Sequence, residues 1–371
     1  MKVLYIGVYK DDTGWSHAAI QNILALDSVD IDVVPRAIKL NDVNGEYPER
    51  IKELEKKSTD GCDVVIQNVL PHHMIYDGHF KKNIACYYTE TSHFRNTSWP
   101  ERLNLMDEGW VTCNDMVSSA RNSFVKIPLY YVPIPCDVSV YQRKYDPYEI
   151  PHIGDKFMFY YIGEISKRKN LIAALRAFHT EFHPDENVGF LIKGNIPGNS
   201  NQQTHAHLNQ LCDNVKSNLK LYPNTKDYHS EIKIAQHLSN EEIMRLHSTC
   251  DCLVVPSHGE AWSIPAFDAM ALGKTPIVSE TGAMKEFITN DCGYLVKCHR
   301  QPVFAATDGL SDLYVGNEEW DDIDILDLRS KMRLAFTNRK DKQLRAEAGI
   351  SKAYEYTHQK IGLEMKRLLE S

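Results

Sequence analysis

Glu260 and Asp268 stand with seven residues between them in "PSHGEAWSIPAFDAMALGKTPIVSE", residues 256–280. The run before them, "CDCLVVP", has the pattern of a buried strand, "SHGEAW" that of a loop, and "AFDAMAL" that of a short helix. Ser263 is placed to N-cap that helix, Pro265 falls in its first turn and Gly273 at its C′ position. The amides of Trp262–Ala266 then form the positive end of a helix, which suits a phosphate. Glu260 in the loop can reach a ligand directly. Asp268, about one turn into the helix, can accept two hydrogen bonds from a vicinal diol such as a ribose. A phosphate site flanked by a diol-binding acid describes a nucleotide.

A second stretch adds positive charge. "GEISKRKN", residues 163–170, follows another apolar run and supplies Lys167, Arg168 and Lys169. Beside a helix N-terminus these would offset a diphosphate leaving group. Taken alone the triplet reads equally as a solvated basic turn.

Positioning these loops requires strands that end together. "KVLYIGVY", "IDVVPRA", "CDVVIQN", "IACYYTET", "EGWVTCN" and "LYYVPIPCD" punctuate the first 137 residues, with amphipathic segments between several of them. "FMFYYIGEI", "VGFLIKGN", "DCLVVPSH" and "TPIVSE" form a second series. Short Val/Ile/Tyr-rich runs alternating with helices predict βαβ units and parallel sheets covered on both faces. The expected architecture is α/β: residues 1–152 as one doubly wound, Rossmann-like domain, residues 153–353 as a second, and a terminal helix of about 354–371 returning to the first. The polar, proline-containing stretch 141–156 reads as the linker. Ligands of such sheets bind at the carboxyl ends of strands, so the site is expected in Gly7–His17, Gln67–His73, Thr89–Arg95, Gly163–Asn170 and Pro256–Pro265.

"GEISKRKNLIAALRAF", "EIMRLHSTCDCLVVPSHGEAWSIPAFDAMALGKTPIVSETGAMKEFI" and "GYLV" resemble the retaining nucleotide-sugar glycosyltransferases of GT-B architecture, glycosyltransferase family 4 (glycosyl transferases group 1). The resemblance is close over about 157–300 and weaker in "YYTETSHF", "EGWVTCNDMVSSA" and "VPIPCD". It implies two Rossmann-like domains facing across a cleft, the first serving the acceptor and the second binding the donor. It also implies that Glu260 contacts the donor sugar, Asp268 holds the ribose hydroxyls, Lys169 grips the diphosphate, and the backbone of Ala261, Trp262, Ser263 and Ile264 meets sugar and phosphate oxygens. The family's paired arginine is replaced by Glu164, with Arg168 as its substitute, and the second acid is Asp268 where the family has glutamate. The first-half glycine loop is loosely met around Gly14. A catalytic histidine is implied there too, and His93 is the candidate, with His72 and His73 competing. Residues near Gln236–Leu238 are implied to touch the base.

The expected activity is transfer of a sugar from a UDP- or GDP-sugar to a hydroxyl acceptor such as a glycan or glycolipid. The alternatives are a non-catalytic member that binds a sugar nucleotide or a partner, and a sugar-nucleotide 2-epimerase. No cofactor or metal is expected, since the helix end with Arg168 and Lys169 would do a cation's work, and "DID" at 322–324 leads a helix. The net charge of −8 suggests no nucleic-acid partner, and 43% hydrophobic with 25% charged residues marks a globular chain. Nine scattered cysteines without a Cys-x-x-Cys pair read as reduced, buried thiols of a cytoplasmic protein. His205 and His207 make a weak metal candidate. No apolar run approaches the roughly 20 residues of a spanning helix, so the protein is expected to be soluble or at most peripheral to a membrane. "GVYKDDTGW" lacks the G-x-G-x-x-G turn of a dinucleotide dehydrogenase.

Overall fold

The computed structural model describes residues 1–11, 13–40, 45–151, 153–306 and 310–371. The chain divides into two compact units, one of Met1–Val138, Leu310–Tyr314 and Ala353–Ser371, the other of Ser139–Gly309 and Val315–Lys352.

The first unit is built on six parallel strands: β1 (Lys2–Gly7), β2 (Asp32–Ala37), β3 (Val64–Asn68), β4 (Lys82–Cys86), β5 (Glu108–Val111) and β6 (Leu129–Tyr131), in the order β2-β1-β3-β4-β5-β6. Its inner strands are short apolar runs because helices cover both faces, and all five residues of β3 are buried. The helix Gly14–Ser28 packs against the helix His358–Glu370. That terminal helix starts at the N-cap Thr357, whose side chain accepts from the Lys360 amide, and Thr357 bridges to Cys136.

The second unit carries β7 (Phe157–Glu164), β8 (Val188–Asn195), β9 (Glu231–Ile234), β10 (Cys252–Val255), β11 (Ile277–Ser279) and β12 (Tyr294–Val296), in the order β12-β11-β10-β7-β8-β9. All are parallel. Counted from β7 this is the order of a dinucleotide-binding sheet, with the winding reversed between β7 and β10. An antiparallel hairpin of β13 (Cys298–Pro302) and β14 (Glu319–Ile323) is added. Phe159, Phe178, Phe182 and Phe190 fill the core between this sheet and the helix Leu171–Glu181.

The two-sheet α/β architecture expected from the sequence is the one observed. Several parts of the second unit escaped the sequence reading, β9 and the β13–β14 hairpin among them. β9 reads "EIKI", too polar for a buried run, yet Glu231 is buried because Lys216 and His179 meet its two oxygens at 2.9 and 2.6 Å. Charged residues on an edge strand also protect the sheet edge. In "DID", only Asp324 leads a helix, accepting from the amides of Leu326 and Asp327, while Asp322 lies in β14. Stretch 141–156 lies along the second unit: Tyr148 donates its amide to Thr249, and Arg245 donates to the carbonyls of Asp146 and Pro147.

Gly362 sets how closely the terminal helix approaches its neighbour. A Cβ there would stand 2.3 Å from the Ala25 carbonyl oxygen. Alanine is the better helix former by about 1 kcal/mol, but crowding of this kind costs about 1–3 kcal/mol. Gly362→Ala is therefore expected to lower unfolding stability in a urea titration, and an increase would show that the two helices separate freely.

Candidate functional site

The loops after β7 and β10 emerge side by side where the winding of the second sheet reverses, the place where such sheets bind ligands. The β7 loop ends at Asn170, in the left-handed region at φ 51°, before the helix Leu171–Glu181. Two bonds join the loops. The His258 amide donates to the Arg168 carbonyl at 2.8 Å, and Arg168 Nη1 donates to the Gly259 carbonyl at 2.9 Å.

These contacts carry Lys169 onto Glu260. Its ammonium donates to Oε1 and Oε2 at 2.6 and 2.8 Å, and Arg168 Nη1 lies 3.6 Å from Oε2. Glu260 is 5% exposed. Burial alone would raise its carboxyl, but the charges of Lys169 and Arg168 outweigh burial and hold it below the usual carboxylate range. The Glu260 backbone is fixed from behind by a turn at Gly282, where Ala283 donates its amide to the Glu260 carbonyl at 2.9 Å. A Cβ on Gly282 would meet that carbonyl oxygen at 2.2 Å, and its φ is +57°. Only glycine fits there.

Ser263 occupies the N-cap position of the helix Ile264–Ala271, but not as the sequence suggests. Its backbone is left-handed, at φ 74°, and its hydroxyl makes no capping bond. The positive helix end is thus not closed by its own cap. The other end is closed by a Schellman arrangement, with Gly273 at φ +71° and bonds from Gly273 to Met270 and from Lys274 to Ala269. Ala266, Ala269 and Ala271 are buried. Ala261 and Trp262 are also buried, and the Trp262 ring packs on Phe267 and Phe287 with centroids 5.5 and 4.8 Å away.

Asp268 is 3% exposed and accepts a 2.7 Å bond from the Tyr141 hydroxyl. Burial pushes its carboxyl up to about 7, the Tyr141 bond pulling the other way. The two acids flanking the helix start therefore differ in kind: Glu260 is held ionised by cations, whereas Asp268 sits near its titration point at neutral pH.

Of the residues singled out in the sequence, Lys169 and Arg168 meet Glu260, while Ser263, Ile264 and Asp268 lie at the start of and within the helix that follows it. Sequence reasoning did not find Tyr141, which it placed in a linker, nor the hairpin behind the loop. There Trp320 stacks on His258 at 4.3 Å, and His258 Nδ1 bonds to the Asp321 carbonyl. Only Tyr141's proximity in space marks it.

His93 and Gly14 belong to the other unit. His93 is buried after β4, its carbonyl accepting from Thr91. Gly14 opens its helix behind a capping box of Thr13 and Ser16. His72 accepts at Nδ1 from the Trp99 indole. The histidine pair of "THAHL" lies on the helix Asn201–Leu219, with His205 against Asn209. Among the described residues, no three His, Cys, Asp or Glu side chains gather as a metal site, and no helix is long and apolar enough to cross a membrane. All nine cysteines are free thiols.

Residues 143–307 match the glycosyl transferases group 1 family. Sucrose-phosphate synthase from Thermosynechococcus elongatus is similar over 100% of this chain and 98% of its own, at TM-score 0.66 and 15% identity. HepE of Anabaena, solved with UDP-glucose, is similar over 100% and 99%, at TM-score 0.66 and 11% identity. The E. coli trehalose-6-phosphate protein solved with UDP-2-fluoro glucose gives TM-score 0.70 at 8% identity over 100% and 99%. At these identities the likeness establishes the fold, two Rossmann-like units as in GT-B glycosyltransferases. Among curated proteins none matches the sequence.

The electrostatics of Glu260 and Asp268 can be tested by substitution. Lys169→Ala leaves the buried Glu260 carboxylate with only the longer Arg168 contact, a loss of up to about 3 kcal/mol, and Glu260→Gln in that background is expected to restore most of it in urea unfolding. An uncorrected loss would mean that Lys169 supports the fold by packing. Asp268 titrates near 7 when folded and near 3.9 when unfolded. Between these values the folded state binds more protons, so its contribution to stability falls as pH rises, by up to about 1.4 kcal/mol per unit. Asp268→Asn is expected to flatten that part of the stability–pH curve, and an unchanged slope would place the titration elsewhere.

Proposed function

We propose that the protein is a retaining glycosyltransferase that moves a sugar from a UDP- or GDP-sugar to a hydroxyl acceptor such as a glycan or glycolipid. The observation that carries this reading is the Lys169–Glu260 pair beside the uncapped start of the helix Ile264–Ala271. Support comes from the family match over 143–307 and from UDP-sugars bound in proteins of the same fold.

The roles follow from charge. Two cations and one carboxylate leave a local charge of +1 before the helix dipole is counted, suited to a diphosphate. Lys169, Arg168 and the amides at Ser263 and Ile264 would take up the charge that develops as the anomeric carbon–phosphate oxygen bond breaks. No divalent cation is required in this scheme. Glu260, kept ionised, accepts hydrogen bonds from donor-sugar hydroxyls, and Asp268 accepts from the ribose. The acceptor oxygen bonds to the anomeric carbon on the face the diphosphate leaves, its proton passing to the departing phosphate oxygen, which gives retention. The first unit would serve the acceptor, with His93 as its catalytic candidate and Gly14 beside the donor. We place the reaction in the cytoplasm, in solution or at a membrane surface.

Glu164, where the family has arginine, favours a second reading: a protein that binds the sugar nucleotide without transferring the sugar. A 2-epimerase of the same fold would convert the sugar without an acceptor.

One assay series separates these. Thermal shifts with UDP, GDP, ADP and their sugars identify the donor, since a ligand of the folded state raises the midpoint. Incubation with that donor is expected to release nucleoside diphosphate slowly without acceptor and faster with a glycan, and Glu260→Gln to lower release about 100-fold or more without changing the melting midpoint by more than a few degrees. Binding without release supports the non-catalytic reading, and epimerised donor supports the third. No stabilisation by any nucleotide would overturn the proposal.

A further inference from the structure

The donor-site reading leaves Tyr141 without a task, although its hydroxyl holds one oxygen of an acid assigned to the ribose. Tyr141 lies on the short helix Val138–Gln142, none of whose residues is buried. It precedes residues 143–307, so the family match does not reach it. Its ring meets Phe267, with centroids 6.2 Å apart, and its hydroxyl reaches Asp268 Oδ1 at 2.7 Å. A side chain on a helix without a buried residue thus reaches an acid that is 3% exposed.

We infer that Tyr141 is a positioning residue of the nucleotide site: it fixes Oδ1 of Asp268 and leaves Oδ2 as the oxygen that accepts from a ribose hydroxyl. The inference rests on the nucleotide-sugar reading above and adds to it a residue outside the matched domain.

Chain length gives the first reason. An aspartate has one methylene less reach than a glutamate, so the orientation of its carboxyl plane decides which oxygen faces a ligand. A phenol donor on the other side sets that plane. Charge gives the second. A phenol hydroxyl donating to a carboxylate favours the ionised form, and that form accepts most strongly from a ribose hydroxyl.

Among the described residues, burial and the Tyr141 bond are what shift the Asp268 carboxyl, and several neighbouring cations are engaged elsewhere. On β7, the Tyr160 phenol feels the charge of Asp268 and is itself bonded to His247 of the helix Asn240–Thr249, whose burial pushes it down to about 3, so His247 is neutral. Lys274, after the helix, donates to the Ser248 carbonyl. The helix Arg339–Ala353 meets Met270 and Gly273, and two of its cations, Lys342 and Arg345, are paired with Asp251 and Asp341. The helix Met284–Phe287, with Lys285 and Glu286, meets the site helix at Phe267 through Phe287. Tyr141 is the donor that opposes burial at Asp268.

The test compares wild type with Tyr141→Phe, which keeps the ring. Calorimetry with UDP and 2′-deoxy-UDP, or the guanosine pair if GDP is the stabilising nucleotide, gives the preference for ribose from pH 6 to 9. Wild type is expected to prefer the ribose form about ten-fold at pH 8 and less at pH 6. Tyr141→Phe is expected to lose most of that preference at pH 7 and regain it by pH 9. A preference unchanged at every pH, or lost at every pH, overturns the inference. A 13C titration of the Asp268 carboxyl in the protein without nucleotide reads the same effect directly. Its midpoint is expected to rise in Tyr141→Phe, and an unmoved midpoint overturns the positioning role even if nucleotides bind. Wild type that binds no nucleoside diphosphate overturns the donor-site reading, and the inference with it.

Discussion

A carboxylate out of water is costly unless cations meet it, and Glu260 is met twice. Lys169 supplies two short bonds and Arg168 adds a third, longer contact. This pairing requires the loop after β7 to lie against the loop after β10, and much of the second unit is arranged to keep it there. The backbone bond from His258 to Arg168 and the side-chain bond from Arg168 to Gly259 close the two loops on each other. The Gly282 turn closes the remaining side through Ala283. A substituent on Gly282 would push directly on the atom that Ala283 holds.

The sheet order explains why these loops are neighbours although about 90 residues of chain separate them. β7 begins the unit and β10 begins its second winding, and they pair through Cys252 with Phe159 and Leu253 with Tyr160. Both strands run the same way, so their outgoing loops share an edge. The helix after β10 then presents an uncapped, positive end toward that edge. Its cap residue is strained into the left-handed region in place of closing it.

The helix after β1 in the first unit is built differently. Thr13 and Ser16 satisfy each other across its start. Reversal of the winding in that sheet falls between β1 and β3, whereas His93 follows β4. The sheet order therefore gives His93 no special position within its own unit, unlike Glu260 and Lys169 in theirs.

Much of this was legible in the sequence. Apolar runs of four to eight residues separated by amphipathic stretches dictate parallel sheets under helices, because strands buried on both faces admit little polarity. The acids, the basic triplet and the helix signals of 256–280 were local patterns and could be read as such. Three features were not local. β9 is hidden because its burial depends on Lys216 and His179, which reach Glu231 from other elements. The state of Asp268 depends on the depth at which its helix is buried, which no periodicity records. Tyr141 lies in a polar, unremarkable stretch, and only packing brings its hydroxyl to Asp268, 127 residues on. Local pattern fixes which residues face a sheet or end a helix. Which charges meet out of water, and so which acid is ionised, is decided by long-range contacts that only the folded chain makes.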